Sequence, residues 1–242
     1  MNLLNVIQHT SADYLGLLED HLEGRRIRFR YFRPFTEQGS VPGPGDACDG
    51  LVLLGGGPWG SAGARDVPTL RSEIDATRNV LEQGKPVIGI GLGAQILALA
   101  AGGRSETAPL AFEVGHAHRV EDHALADFMP RRFPNVVYMR DRPVPPADAR
   151  VLAVDERDRP AVFQWGTNAL GFTGHPGFKT AMAEDLIMEF EECPEDPAPT
   201  LQRLQLMARE IEDALVPLMT GIVKVTGLMQ AKNRIPIKLA PD

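Results

Sequence analysis

Short apolar runs punctuate the chain: Leu3 to Gln8 (LLNVIQ), Gly50 to Leu54 (GLVLL) and Pro86 to Ile90 (PVIGI). Runs of this length without polar alternation suit strands of a parallel sheet buried on both faces. Between them the apolar period changes to that of a helix. Leu70, Ile74, Thr77 and Leu81 recur at three- and four-residue steps across Pro68 to Glu82, and His9 to Asp13 supplies turn and N-cap chemistry for a helix through about Gly24. Arg26 to Phe32 (RIRFRYF) alternates charged with apolar side chains, which predicts an outer strand with one wet face. Pro34 to Asp49, rich in proline, glycine and acidic residues, reads as a loop.

The second half continues in short elements. Asn135 to Tyr138 reads as a strand, Val151 to Asp155 and Ala161 to Trp165 as a hairpin around Glu156 to Arg159, and Ala169 to Thr173 as a further strand. A short helix is expected within the polar stretch Arg119 to Arg132, and another over Lys179 to Glu192, ended by the three prolines of Cys193 to Pro199. Thr200 then caps a long amphipathic helix whose apolar positions include Leu201, Leu204, Met207, Ile211, Leu215 and Leu218. Pro217 is expected to kink it, and the helix to continue to Gln230 before a basic end, Lys232 to Lys238. The organisation expected is one α/β domain over residues 1–192 and a C-terminal helical extension over 193–242. The extension covers apolar surface, either the domain's own or that of a second copy.

Composition narrows the function classes. A formal net charge of −7 over 242 residues disfavours nucleic acid and anionic membrane as partners, since both are polyanions. Cys48 and Cys193 are the two cysteines, with no C-x-x-C pair, which excludes a disulfide framework and a cysteine-rich zinc site. No secretory pattern occupies Met1 to Thr10, and no apolar run reaches the ~18 residues of a membrane span, so a cytoplasmic protein is expected.

The most informative stretch is Lys85 to Gly103 (KPVIGIGLGAQILALAAGG), where a buried strand turns through glycines into an apolar helix expected from Gln95 to Ala101. Such an elbow presents one residue at strained backbone angles above the carboxyl ends of a parallel sheet, beside the free N–H groups of a helix N-terminus. Here that residue is Gly91, which has no side chain to present. Gly55 to Gly60 (GGGPWG) follows an earlier strand and can bring backbone N–H groups close to a ligand at the same sheet edge. His175 follows a later strand in Gly174-His175-Pro176-Gly177.

Together Gly56-Gly57-Pro58, Gly89-Ile90-Gly91-Leu92-Gly93-Ala94-Gln95 and His175-Pro176-Gly177 resemble, in order and spacing, the motifs of the class I glutamine amidotransferase family. The resemblance covers about Asn2 to Leu186 and implies a flavodoxin-like, doubly wound, mainly parallel sheet with helices on both faces. It also implies that the family's nucleophilic cysteine falls on Gly91 and its triad glutamate on Gly177, leaving His175 of the three. Gly57 and Leu92 match the positions whose N–H groups form the oxyanion hole, with Gly56 and Gln95 beside them as ligand-binding residues. Phe112 to His116 matches a loosely defined E-x-G segment, and Met139 falls where related members carry a histidine in a W-H-x-D segment.

Two functions compete on this reading. In the first, the chain is a pseudoenzyme that binds a small carboxylate, an amino acid or a partner synthetase through the old active-site pocket, with a homodimer through the C-terminal helix as a further association. In the second, it is an enzyme acting on a non-glutamine substrate with His175 and the backbone oxyanion hole. The second leaves the nucleophile to water or a cofactor, and the motifs call for no cofactor by name. His116, His118 and His123 invite a metal hypothesis, but no acidic or cysteine motif accompanies them, and solvated or hydrogen-bonded histidines are the expectation.

Overall fold

The structure, a computed structural model, describes residues 2–230. Its centre is a nine-stranded sheet. The parallel half contains β1 (Leu3–Ile7), β2 (Arg28–Phe32), β3 (Gly50–Leu53), β4 (Val87–Ile90) and β11 (Ala169–Phe172), in the spatial order β2-β1-β3-β4-β11. The sheet then continues antiparallel through β10 (Pro160–Trp165), β9 (Arg150–Asp155), β6 (Ala111–Arg119) and β7 (Arg132–Met139). A small hairpin-like ribbon pairs β5 (Arg104–Glu106) with β8 (Arg142–Val144). The alternating β2 does lie at the sheet edge, where its charged positions can stay wet.

Side-chain alternation sends each central strand's residues to two cores. Leu51, Leu53 and Val87 pack with α2 (Leu70–Glu82) and α3 (Leu92–Ala100) on one face. Leu4, Val6, Val52 and Ile88 pack on the other with α1 (Leu18–Gly24) and the C-terminal half of α5 (Pro197–Thr226). The N-terminal half of α5 and α4 (Thr180–Glu189) cover Phe112, Val114, Val136 and Tyr138 of β6 and β7. This is the doubly wound, flavodoxin-like α/β arrangement expected from the sequence, with helices on both faces.

Several boundaries differ from expectation, each for a local reason. The first helix starts at Leu18 rather than near Asp13, because Gly16 takes φ +61° and Leu17 donates its N–H to the Gly177 carbonyl, holding the chain in a loop. Residues 119–132 form no helix: His123, Leu125, Ala126 and Asp127 all lie at positive φ, and Ala124, Leu125 and Met129 plug into the core as turns. α3 begins directly at Leu92. α5 begins at Pro197, so Thr200 sits in its first turn, and it runs through Pro217 without a break. Leu215, Leu218 and Met219, buried on both sides of the proline, hold the two halves against one core despite the lost hydrogen bond. Gly227, at φ +67°, ends the helix. The basic stretch Lys232 to Lys238 lies outside the described residues.

Candidate functional site

Three neighbouring parallel strands, β3, β4 and β11, end at one edge of the sheet, and the three sequence motifs follow them. Gly91 closes β4 with φ 58° and ψ −116°, and its N–H donates to the Phe172 carbonyl at the end of β11 (2.9 Å). Those angles cost a side-chain-bearing residue about 1–3 kcal/mol, whereas glycine adopts them readily. A Cβ built on Gly91 would meet one heavy atom within 4 Å, the Cα of Gly55 at 3.3 Å, so the elbow's side-chain direction is open. Leu92 is the first residue of α3, and its N–H finds no acceptor among the described residues; the same is true of the Gly57 N–H.

The glycine loop is clamped. Leu92 packs on Gly56, and Phe190 and Leu186 press on Gly57 from the α4 side. Arg140 donates Nε–H to the Pro58 carbonyl (2.8 Å) and pairs with Glu192, which also pairs with Arg65; Arg65 in turn stacks over Trp59 at 4.9 Å. Burial of residues 55–58 and the density of these contacts leave the loop little freedom.

His175 sits beside this edge, 5% exposed, with its ring edge-on to Phe178. Both nitrogens are committed to backbone. Nε2 donates to the Tyr14 carbonyl (2.9 Å), and Nδ1 accepts the Gly177 N–H (3.1 Å). The two partners fix the Nε2–H tautomer, because a carbonyl can only accept and an amide N–H can only donate. Burial pushes the imidazole pKa down to about 4, so the ring is neutral at pH 7. At Gly177 a Cβ would overlap Leu18 Cδ1 and crowd the Leu18 backbone nitrogen at 3.1 Å, so the start of α1 occupies the space a side chain there would need.

Gln95 is fully buried and spends its amide on protein. Its Nε2 donates to the Arg140 carbonyl (2.7 Å), and its Oε1 accepts from Ser61 Oγ (2.6 Å) and, more weakly, from Ser105 Oγ (3.4 Å). Asp141, two residues after Met139, accepts the backbone N–H groups of Ser61, Ala62 and Ala108. His116 bonds Glu210 of α5 and Arg132, tying the helix to the sheet, while exposed His123 pairs with Asp127. Among the described residues no group of three or more His, Cys, Asp or Glu could hold a metal ion.

One cluster at this edge was not read from the sequence. His9 and Asp13 follow β1, and both are buried. His9 Nε2 lies 2.7 Å from Glu73 Oε2 and its Nδ1 lies 3.0 Å from the Gly55 carbonyl. Burial opposes a charge on His9, but Glu73 outweighs it and the pKa is raised; the same pair lowers that of Glu73 against its own burial. Burial pushes the Asp13 carboxyl up to about 7 against the pull of His9 and a hydrogen bond from the Gly55 backbone, and its Oδ1 has no partner among the described residues. The available signal was the position of His9 just past the carboxyl end of a central strand, where α/β ligand sites gather.

The fold that carries these groups is shared with known proteins. The signature of the family described as glutamine amidotransferase class-I matches residues 19–189. A GMP synthase [glutamine-hydrolyzing] of Aeropyrum pernix is 30% identical over 161 residues, covering 64% of this chain and 30% of that protein, so this chain spans less than a third of that relative's length. A glutamine amido transferase from Methylobacillus flagellatus superposes with a TM-score of 0.80 at 20% identity, over 97% of this chain and 98% of the other. A glutamine amidotransferase from Thermotoga maritima does so at 0.76 and 21% identity, over 95% and 99%. With sequence signature and fold in agreement, the chain belongs to the class I glutamine amidotransferase family.

Proposed function

We propose that this chain is an amidotransferase-family protein without glutaminase activity, which holds a small carboxylate or amino acid at the elbow and works beside a synthetase. The observation that carries the reading is the commitment of both His175 nitrogens to the Tyr14 and Gly177 backbone, opposite an elbow residue with no side chain. Amide hydrolysis by this route needs a thiolate, a base free to take its proton, a carboxylate to orient that base and donors for the oxyanion. In this assignment Gly91 and Gly177 stand where the thiol and the carboxylate would be. What survives is the part made of backbone: the unengaged N–H groups of Gly57 and Leu92, suited to an anionic oxygen at a helix N-terminus. A synthetase partner is supported by the Aeropyrum relative, whose name is that of a glutamine-hydrolysing GMP synthase.

The competing reading, an enzyme that uses His175 as base on another substrate, requires a ring nitrogen that is not already bonded, and neither is free. The proposal is tested by exposing the native protein to a thiol-directed glutamine analogue and recording the intact mass. No adduct near the elbow is expected. A stoichiometric adduct that glutamine protects against would overturn the proposal.

A further inference from the structure

On the sheet face opposite α4 and α5, the β5–β8 ribbon and the antiparallel strands enclose a cavity of about 300 Å³. It lies on that face because Ala111, Glu113, Val137 and Met139, which line it, alternate with Phe112, Val114, Val136 and Tyr138, which face the helices. None of Gly56, Gly57, Gly91, Leu92 or His175 lines it. Its walls are largely apolar, with Pro109, Val137, Met139, Pro143, Pro145 and Pro160 contributing. That volume is at the lower end of what small-molecule sites use.

At the rim stands an uneven set of charges. Asp155 accepts the backbone N–H groups of Arg157 (2.8 Å) and Arg159 (3.0 Å) and the Arg159 Nε–H (2.5 Å). Glu113 is shared by Arg157 at 2.9 Å and Arg159 at 2.7 Å. Asp141 is consumed by its three backbone donors, and Glu106 is paired with Arg104. Every acid at the cavity is therefore engaged. Arg142 is not: its one ion-pair contact among the described residues is Glu113 Oε1, 4.0 Å away and already taken. Around Glu113 and Asp155 stand three arginines, 142, 157 and 159, and the guanidinium left without a close carboxylate is that of Arg142, whose side chain is about two-thirds buried at the cavity wall. Burial and the neighbouring Arg159 hold the Arg142 guanidinium below its ordinary range, with Glu113 and Asp155 pulling the other way.

From this juxtaposition we infer a second binding site, separate from the elbow, that takes a small organic carboxylate with an apolar body, the carboxylate on Arg142 and the body against the proline-lined wall. A guanidinium two-thirds buried and without a close carboxylate gains charge-assisted hydrogen bonds, while the walls reward apolar area removed from water. Both halves of the ligand are needed. An inorganic anion leaves the walls wet, and a neutral ring leaves Arg142 unmatched. The inference stands whether or not the elbow is reactive, since neither the glycine loop, the elbow nor His175 lines this cavity.

The experiment is calorimetric titration of the full chain at pH 7 with three probes: 3-phenylpropionate, its neutral amide 3-phenylpropanamide, and acetate. Saturable binding of 3-phenylpropionate is expected, with the amide and acetate each at least about tenfold weaker. Arg142→Gln should lose about tenfold for the acid and nothing for the amide, and Arg142→Lys should recover part of the loss. Absence of saturable binding by 3-phenylpropionate, equal affinity for acid and amide, or unchanged affinity in Arg142→Gln overturns the inference. The acid-against-amide comparison needs only the native protein and does not depend on how a variant folds.

Discussion

His175 donates its Nε2–H to the carbonyl of Tyr14 at 2.9 Å, so the motif histidine is fastened to the loop after β1 rather than left free above the elbow. The Gly177 N–H at its other nitrogen completes the arrangement, and a neutral ring is the form that satisfies both. Protonating Nδ1 would set one donor against another, in the same direction as the effect of burial on this group.

The space at Gly177 makes a direct prediction. A Cβ there overlaps Leu18 Cδ1 at the start of α1, so Gly177→Glu overpacks a site whose neighbours are backbone and core. A loss of about 1–3 kcal/mol is expected in urea denaturation. Adding Leu18→Ala should return part of it by vacating the contact. A Gly177→Glu protein as stable as the native one would show that α1 yields freely and that the position can accept a carboxylate.

Asp13 and His175 give opposite pH dependences. Between the ordinary carboxylate value near 3.8 and about 7, the folded state keeps a proton on Asp13 that the unfolded chain has lost, so rising pH destabilises. Between about 4 and 6.5 the unfolded chain keeps a proton on His175 that the folded state has lost, so rising pH stabilises. The two nearly cancel from about pH 4 to 6.5, and above that the Asp13 cost stands alone. Asp13→Asn, which mimics the protonated acid, should match the native stability below about pH 4, where folded and unfolded chains both keep the proton. By pH 8 it should exceed it by up to roughly 4 kcal/mol, at 1.36 kcal/mol per pKa unit. A difference independent of pH would contradict the assignment.

The C-terminal helix is tested by removal. α5 buries Leu204, Met207, Ile211, Leu215, Leu218 and Ile222 against this chain's own strands and α4, and each such side chain contributes on the order of 1.5–3 kcal/mol. A chain ending at residue 196 should be insoluble or should show non-cooperative melting with dye-accessible apolar surface. A truncated protein with native solubility and melting temperature would mean that the helix is dispensable.

The parts of this fold that could be read from sequence are those whose signal is local. Leu3–Ile7, Gly50–Leu53 and Val87–Ile90 stand out because a strand covered on both faces must be apolar throughout, and the glycines about Gly91 mark the elbow because few other residues adopt its angles. Leu204 to Leu218 announced itself by period. The His9–Glu73 pair and Asp13 were not legible, because a buried charge is recognised by its partner, and Glu73 lies 64 residues from His9 on a helix that otherwise reads as amphipathic. The commitment of His175 was hidden for the same reason: its acceptor belongs to Tyr14, 161 residues away, in a loop the sequence suggested would be helix. Residues 119–132 misled through their polarity, since it is their left-handed turns rather than a helix that deliver Leu125 to the core.

Gly91→Cys separates the elbow's shape from its chemistry. The open side-chain direction, with Gly55 Cα at 3.3 Å, admits a thiol, and the α3 N-terminus lowers its pKa. The variant should react with iodoacetamide at that cysteine faster than the native protein reacts at Cys48, yet release no ammonia from glutamine, because His175 has no free nitrogen to serve it. Glutaminase turnover in this single variant would show that the Tyr14 and Gly177 bonds give way during reaction.

The most direct measurement is ammonia release from glutamine by the native chain, followed by coupled assay at pH 7 to 8. With no thiol at Gly91 and both nitrogens of His175 held by backbone, the rate should equal that of buffer alone. Glutamine-dependent ammonia release that scales with protein concentration and is abolished by His175→Ala would contradict the account.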